Sequence, residues 1–277
     1  MIENIIFSGG GFKGWAYIGT IRALNELVQF KNIKSVTGVS IGAVFGLFYI
    51  LQLSWETVLD FIMNLNFKQL LDIDIDNILV NQSIMNGTQY MNKIKEIISL
   101  KISPEITFKE LYRHNGVLFT VNALNISTSS VEYFNHLLSP NVKVIDAIMA
   151  SSSLPLIFPA YKINSFYYYD GGLCNNCPVN YIDELNSIAF DISTKNDSAN
   201  NNIFNLIYSL MHITNSVYMK NQHIIYQILD SRFKNEMINI NQSRDDIFNI
   251  YMTGYVNSKN IIYDNYIALP EPAVLSI

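Results

Sequence analysis

The chain has 277 residues, a formal net charge of -5, 49% hydrophobic residues and only 15% charged residues. This length suffices for a large hydrophobic core, and the composition is typical of a folded chain. The acidic balance argues against a nucleic-acid-binding protein, which usually presents a basic face. It also gives no electrostatic attraction to anionic membranes, so any contact with a membrane would have to rest on apolar surface.

The first part of the chain alternates short strands with helices. Runs of β-branched and aromatic residues predict strands at residues 4–8 and 35–37. Apolar residues at helical spacing predict helices at residues 15–28 and 41–53. Alternating units of this kind predict an α/β fold with a mainly parallel sheet flanked by helices.

The middle of the chain continues this pattern. Residues 55–100 are predicted to be mostly helical, with breaks at residues 72–77 and at Asn86-Gly87. This stretch could cap a site as a lid, although a plain helical layer is the simpler interpretation. Further strands are predicted at residues 116–123, 130–134, 166–169 and 186–192, with a short helix at residues 144–150.

The C-terminal part is predicted to be a helix-strand-helix segment. A polar loop at residues 195–202 precedes a predicted helix at residues 203–231 and a strand at residues 237–240. Ser243, followed by Asp245 and Asp246, is a good N-cap for a last helix that ends near Asn260. We expect residues 1–277 to form a single domain, with its core at about residues 4–192 and residues 193–277 as the C-terminal part.

The start of the chain leaves no room for a secretory signal peptide, because a strand is predicted only a few residues after Met1. The longest apolar run, residues 41–51, is about half of the roughly 20 residues that span a bilayer. We therefore expect a cytoplasmic protein.

Cys174 and Cys177 are the only cysteines and stand in a Cys-Asn-Asn-Cys run. A redox pair or half of a zinc site is conceivable, but a zinc site needs four ligands and the chain has no second pair. Structural or incidental thiols are the better interpretation, and no metal site is predicted.

Ser40 is a candidate nucleophile, because Gly38-Val39-Ser40-Ile41-Gly42 lies between a predicted strand and a predicted helix. A sharp strand-to-helix turn lifts a serine clear of the backbone and leaves room only for small neighbours such as Gly38 and Gly42. The alternative is a chance match in an ordinary turn, where glycine and serine are common. The strand before the motif and the apolar helix after it favour the functional interpretation.

A glycine run, Gly9-Gly10-Gly11-Phe12-Lys13-Gly14, precedes the first predicted helix. Consecutive backbone N–H groups at a helix start bind anions, and in acyl transfer the anion is the oxyanion of the tetrahedral intermediate. Gly10 and Gly11 are the preferred donors, with Gly9 and Gly14 shaping the turn. Lys13 could touch a substrate phosphate, but a solvated residue at the helix start is the simpler interpretation.

The same glycine spacing also matches the fingerprint of dinucleotide-binding proteins. That interpretation requires an acidic residue about 20 positions further on, after a second strand, to bind the ribose. Residues 28–38 contain none, and Glu26 lies inside the predicted helix. A dinucleotide site is therefore disfavoured.

Asp170 is the candidate base, since a predicted strand delivers it and Gly171-Gly172 allows the chain to turn after it. A carboxylate beside a nucleophile can accept its proton if burial raises its pKa from about 3.9 towards neutrality. Considered alone, Asp170-Gly171 is better explained as an ordinary turn signal.

A histidine triad is the alternative to a serine–aspartate dyad. The chain has four histidines: His114, His136, His212 and His223. In the order Ser, acid, His, either His212 or His223 could complete a triad, but both fall within the predicted helix at residues 203–231. A dyad of Ser40 and Asp170 is therefore the preferred interpretation.

The order and spacing of these motifs resemble the patatin-like phospholipase family. The glycine loop at residues 9–14, the GxSxG elbow at residues 38–42 and Asp170-Gly171-Gly172 are similar to its three motifs. Residues 150–159 look like its ASxxxPxxFP segment, and Asn176 and Pro178 look like its NxP element. With the two strands around the turn at residues 125–129, the resemblance covers roughly residues 4–192.

The resemblance implies a three-layer α/β fold and a lipid acyl hydrolase of the phospholipase A type without metal or organic cofactor. It implies Ser40 as nucleophile, Asp170 as proton acceptor and the amides of Gly9, Gly10 and Gly11 as oxyanion hole. The residues that would support the motifs are Lys13, Gly14, Gly38, Gly42, Gly171 and Gly172.

The expected partner is a phospholipid or other glycerolipid, reached by transient contact with a membrane surface. Phe12, Leu156, Ile157 and Phe158 could line an acyl channel or belong to the core. Two alternatives stay open: a small-ester hydrolase with a histidine triad, and a non-catalytic lipid-binding protein of the same fold.

Overall fold

The computed structural model describes residues 1–70, 83–181, 186–194, 222–233, 239 and 241–267. Within these ranges the chain forms an eight-stranded sheet flanked by helices. The strands are β1 (Asn4–Phe7), β2 (Ser35–Gly38), β3 (Leu118–Asn125), β4 (Ser130–Phe134), β5 (Tyr161–Ile163), β6 (Phe166–Asp170), β7 (Ser187–Asp191) and β8 (Ile225–Gln227).

The α-helices in these ranges are α1 (Ala16–Leu27), α2 (Ile41–Ile50), α3 (Trp55–Met63), α4 (Phe67–Leu70), α5 (Thr88–Ile98), α6 (Phe108–Asn115), α7 (Val144–Ser152) and α8 (Arg244–Ile262). Short 3-10 helices lie at Gly11–Trp15, Phe30–Asn32, Gly171–Leu173, Val179–Tyr181, Gln222–Ile224 and Ser231–Phe233, and a π-helix at Tyr263–Ile267 follows α8. None of the helices that the structure describes is both long enough and apolar enough to cross a bilayer.

The sheet is mainly parallel, as the alternating pattern predicts. Its strand order is β5-β6-β3-β2-β1-β7-β8, and β4 pairs with β3. The five strands β3, β2, β1, β7 and β8 run parallel, whereas β4 and β6 are antiparallel to β3. The predicted α/β fold is confirmed.

The strand register brings the ends of β2 and β6 together. At Val121, β3 pairs with β2 through Gly38 and with β4 through Phe134, so β2 and β4 lie on opposite edges of β3. At Ala123, β3 pairs with β4 through Glu132 and with β6 through Asp170. Because a strand has only two edges, β6 occupies the same edge as β2 and continues beyond its end. Asp170 therefore arrives next to the turn that follows β2.

Burial follows from the apolar character of the elements. The central strand β1 is buried at Ile5, Ile6 and Phe7, as expected for a parallel strand covered on both faces. Helix α2 is apolar on all sides, and each of its ten residues is buried. Helices α1 and α8 pack closely, because a Cβ on Gly19 would lie only 2.3 Å from the carbonyl oxygen of Tyr251.

Several predicted boundaries are confirmed with local physical reasons. Ser243 caps α8, and its side chain and that of Asp246 form a reciprocal capping box. The break at Asn86-Gly87 is confirmed, since Gly87 adopts a φ of 81° before α5 begins. Strand β3 begins at Leu118 and not at Gly116, because Gly116 ends α6 with a φ of 73°, which favours glycine.

The helix predicted at residues 203–231 is wrong over its described part. Residues 222–224 form a 3-10 turn, and Ile225–Gln227 form β8, which pairs with β7. A short apolar run has no periodicity that separates strand from helix, and here tertiary pairing decides. The remainder of that helix, the loop at residues 195–202 and the break at residues 72–77 lie outside the described residues, as does most of the strand predicted at residues 237–240.

Candidate active site

Ser40 occupies a strained turn between β2 and α2. Its backbone has φ 53° and ψ −125°, a conformation that is costly for a residue with a side chain. A Cβ on Gly42 would lie 2.3 Å from the carbonyl oxygen of Phe7, and one on Gly38 would lie 2.4 Å from Cα of Ala43. The two glycines therefore allow helix α2 to start directly against the end of β1, and the serine projects from this junction.

Asp170, the last residue of β6, lies beside this serine. Its side chain is 3% exposed; its carboxylate accepts a hydrogen bond from the Gly172 amide at 2.7 Å and lies beside the Ser40 side chain. Burial raises the pKa of Asp170 to about 6, and the interactions with the Ser40 side chain and the Gly172 amide oppose part of that rise. A carboxylate with this pKa is mainly ionised at neutral pH and can still accept a proton.

The residues after Asp170 hold it in place. Gly171 packs so tightly on β3 that a Cβ would lie 2.3 Å from the carbonyl oxygen of Asn122. The Asn122 side chain donates to the carbonyl oxygens of Gly171 and Asn175 at 3.4 and 3.1 Å. The backbone amide of Asp170 donates to the Ser153 carbonyl at 2.9 Å. These contacts hold the backbone on both sides of the Asp170 carboxylate.

The glycine loop lies at the same end of the sheet. Gly9 is tied to Asn176, because its amide donates to the Asn176 carbonyl at 3.3 Å and its own carbonyl accepts from Asn176 Nδ2 at 3.1 Å. The amides of Gly10 and Gly11 donate no hydrogen bond to any described part of the chain, and both residues line a cavity that Ser40 and Asp170 also line. Gly14 supports the turn, since a Cβ there would lie 2.4 Å from Ile41 Cγ1.

Lys13 is not solvated, and this expectation from the sequence is wrong. Its side chain is 0% exposed, and its Nζ donates to Thr194 Oγ1 at 3.3 Å. Burial lowers the pKa of Lys13 to about 8, and the nearby charge of Asp191 opposes this effect. Lys13 is not among the described residues that line the cavity, so it is not placed to touch a bound substrate.

The cavity has a volume of about 350 Å³ and is almost entirely apolar. It extends from Ser40 between α2, α3 and α5. Of the residues proposed for an acyl channel, Phe12, Ile157 and Phe158 line it. Leu156 does not, because its side chain is 37% exposed at a backbone φ of 70°. A cavity of this size and character suits a hydrocarbon chain.

Two polar residues that line the cavity with Ser40 and Asp170 were not predicted as site residues. Tyr90, from α5, and Ser152, at the end of α7, both line the cavity. Burial raises the pKa of Tyr90 to about 12; the nearby Ser152 side chain opposes this rise and the charge of Asp170 adds to it. Ser152 belongs to the segment that resembles ASxxxPxxFP. Tyr90 belongs to no motif, and the sequence does not distinguish it from any other aromatic residue in an amphipathic helix.

No histidine lies among the described residues that line this cavity. His223 lies in the 3-10 turn before β8, and His136 stacks on Tyr112 with ring centroids 3.7 Å apart. His212 lies outside the described residues. The thiols of Cys174 and Cys177 are free, and burial raises the pKa of both. In the described ranges, no group of three or more His, Cys, Asp or Glu side chains is placed to hold a metal ion.

The family model for patatin-like phospholipases matches residues 5–183, and the chain belongs to this family. This range contains the glycine loop, the turn at Ser40 and Asp170.

Two relatives and one solved structure illustrate what the chain is similar to. It is 26% identical to "Probable lipid hydrolase 463L" of Invertebrate iridescent virus 6 over 183 residues, which cover 64% of this chain and 62% of that relative. It is 27% identical to "Triacylglycerol lipase 4" of Saccharomyces cerevisiae over 211 residues, 65% of this chain and 22% of that one. The solved structure of VipD from Legionella pneumophila superposes with a TM-score of 0.66 at 14% identity, over 95% of this chain and 67% of VipD. This last likeness concerns the fold alone.

Proposed function

We propose that the protein is a serine lipid acyl hydrolase that cleaves fatty-acyl esters of glycerolipids. The observation that carries this proposal is that Ser40, in its strained turn, and the buried carboxylate of Asp170 lie beside each other in the lining of one apolar cavity. Membership of the patatin-like phospholipase family and the similarity to proteins named as lipid hydrolase and triacylglycerol lipase support it.

In the proposed first half-reaction, Ser40 Oγ attacks the ester carbonyl carbon while Asp170 takes the hydroxyl proton. The carbonyl oxygen becomes an oxyanion, and its collapse breaks the bond to the alcohol, which receives the proton from Asp170. The fatty-acyl group remains as an ester on Ser40. In the second half-reaction Asp170 takes a proton from water, whose oxygen attacks the acyl carbon. Collapse of this tetrahedral intermediate breaks the bond to Ser40 Oγ, which recovers its proton from Asp170, and the fatty acid leaves.

The oxyanion hole is assigned to the amides of Gly10 and Gly11. Both residues line the cavity beside Ser40, whereas the amide of Gly9 already donates to the Asn176 carbonyl. Donors of this kind, aimed in advance at the developing charge, are typically worth a factor of 10² to 10³ in kcat each. In this assignment Gly9 shapes the loop and is not a donor to the oxyanion.

The apolar cavity suits the acyl chain, and the polar part of the lipid would remain at its opening. Lys93 is the charged residue, apart from Asp170, among the described residues of the lining, and its Nζ pairs with Glu96 at 2.6 Å. Phospholipids and neutral acylglycerols are both compatible with this opening. A lipid substrate implies transient contact with a membrane or droplet surface.

The test is the release of fatty acid from phosphatidylcholine micelles and from a triacylglycerol emulsion, with identification of the products. We expect Ser40→Ala and Asp170→Asn to lose activity by a factor on the order of 10³ or more. Ser165→Ala and Asp60→Asn, which change exposed residues of the same types, are the matched controls and should keep it. Undiminished activity in either site variant would end the dyad proposal.

The two alternatives make different predictions. A histidine triad requires His223→Ala or His212→Ala to lose several orders of magnitude, whereas the dyad predicts little change. A non-catalytic lipid-binding protein would retain lipids in its cavity but release no fatty acid with any substrate in the panel.

A further inference from the structure

The glycine loop at residues 9–14 is backed by a buried pair of opposite charges that the proposed mechanism does not use. Lys13 has no exposed side-chain surface, and Asp191, the last residue of β7, is 8% exposed. Such residues are almost never buried without a partner, because the loss of hydration strongly disfavours an isolated charge. Burial of the two charges costs free energy of folding, so we expect the pair to have a function that offsets this cost.

Asp191 holds the beginning of the glycine loop. Its Oδ1 accepts hydrogen bonds from Ser8 Oγ at 2.8 Å and from the Ser193 amide at 2.9 Å, and its Oδ2 accepts one from the Ser193 hydroxyl. Ser8 is the residue immediately before Gly9, and its amide also donates to the Phe190 carbonyl at 3.1 Å. The carboxylate thus ties the start of the loop to the end of β7.

Lys13 holds the other end of the same loop. Its Nζ donates to Thr194 Oγ1, 181 residues further along the chain, and its amide donates to the Gly10 carbonyl at 3.3 Å. A Cβ on Gly10 would lie 2.6 Å from Ile192 Cδ1 and 3.6 Å from Lys13 Cε. Gly10 is therefore enclosed by Lys13 and Ile192 on one side and faces the cavity on the other.

We propose that Lys13 and Asp191 are positioning residues that hold the amides of Gly10 and Gly11 towards the oxyanion formed at Ser40. This inference rests on the proposed function. Neither side chain is among the described residues that line the cavity, so both act through the loop. The donors of an oxyanion hole are effective only when they are aligned before the charge develops, and the ammonium behind them adds positive potential where that charge forms.

Among the described residues around Asp191, Lys13 carries the opposite charge. Tyr17 from α1 and Cys177 from the segment after β6 also face this carboxylate. Burial raises the pKa of both well above their usual values, so both are neutral at the pH of an assay. Loss of the Lys13 ammonium would remove this opposite charge from beside the loop and leave the carboxylate with its hydrogen bonds from Ser8 and Ser193.

The experiment compares Lys13→Met, Lys13→Arg and Asp191→Asn with the wild type on a soluble p-nitrophenyl ester. Active sites are counted by complete labelling with a fluorophosphonate, so that kcat refers to folded enzyme. We expect Lys13→Met and Asp191→Asn to lower kcat by a factor on the order of 10² with KM nearly unchanged, and Lys13→Arg to restore most of it. Lys34→Met removes an exposed lysine that pairs with Glu3 at 2.7 Å and should leave kcat unchanged.

A role limited to folding gives a different result. Lower melting temperatures of Lys13→Met and Asp191→Asn with wild-type kcat per active site would overturn the inference. The double variant should lose no more than either single variant, because the two residues act as a unit; multiplied losses would contradict this.

If the uncharged variants do not fold, the inference can be tested on proteins that keep the charge at residue 13. Because Lys13 has a pKa of about 8, kcat of the wild type should fall above that pH, and Lys13→Arg should extend the plateau upward. A wild-type profile that stays flat to about pH 10 would overturn the inference.

If Ser40→Ala is as active as the wild type, the proposed function itself fails. If Ser40→Ala is inactive while the Lys13 and Asp191 variants keep kcat, only this inference fails.

Discussion

Replacing Asp170 with asparagine is expected to stabilise the protein at neutral pH while it removes the activity. The carboxyl group is buried, and its pKa is about 6 in place of its ordinary 3.8. A raised carboxyl pKa means that the folded protein binds this proton more tightly than the unfolded chain. The contribution of the group to stability is therefore fully present below pH 3.8 and is lost as the pH rises through about 6.

The magnitude follows from the same two values. At about 1.4 kcal/mol for each pKa unit, the difference between 3.8 and about 6 corresponds to about 3 kcal/mol of lost stability at pH 7. Asparagine removes the buried charge and keeps an oxygen that can accept from the Gly172 amide, now 2.7 Å from Asp170. The variant should recover up to that amount, and the gain should shrink as the pH falls from 6 to 4.

Urea denaturation of the wild type and of Asp170→Asn between pH 4 and 8 measures this difference. Asp60→Asn, at an exposed position on α3, controls for the general effect of removing a carboxylate. The reasoning is refuted if Asp170→Asn is no more stable than the wild type at pH 7, or if the difference between them does not change with pH.

Three further predictions follow from the site. The kcat/KM for a soluble ester should fall below about pH 6, because protonated Asp170 cannot accept the serine proton; a pH profile without this acid limb would contradict the assignment. Gly42→Ala should cost about 1–3 kcal/mol in urea denaturation and most of the activity, because its Cβ would lie 2.3 Å from the Phe7 carbonyl oxygen. Gly46→Ala meets only side-chain atoms at 3.2 Å or more and should be milder; equal effects would show that the contact at Gly42 is not decisive. Ile94→Phe narrows the cavity wall on α5 and should raise the ratio of activity on butyrate to activity on palmitate p-nitrophenyl esters by about tenfold or more; an unchanged ratio would place the acyl chain elsewhere.

The parts of the site that depend on local geometry could be predicted from the sequence. Gly38 is required by its contact with Ala43 in the same turn, and such a contact follows from the motif itself. The contact of Gly42 with Phe7 also requires β1 to lie beside β2, which the alternating strands and helices predict. The proximity of Asp170 to Ser40 is different, because it depends on β2 and β6 sharing one edge of β3. No local pattern encodes this register, and only the resemblance to a family indicated it.

The features that were missed depend on partners distant in sequence. Lys13 stands in a sequence context typical of a solvated helix start, and its burial depends on Asp191 and Thr194, which lie far away in the sequence. The apolar run at β8 was predicted to be part of a helix, but it forms a strand because it pairs with the edge of β7. The inclusion of residues 193–277 in the same domain stays a prediction, although the described helix α8 packs closely on α1.

The most direct test is to locate the covalent adduct that a fluorophosphonate forms with the native protein, by intact mass and peptide mapping. The proposed mechanism predicts a single modification on Ser40, fast in the wild type, strongly slowed in Asp170→Asn and unaffected in His223→Ala. Modification of another residue, or labelling of Ser40 that depends on His223 and not on Asp170, would contradict it.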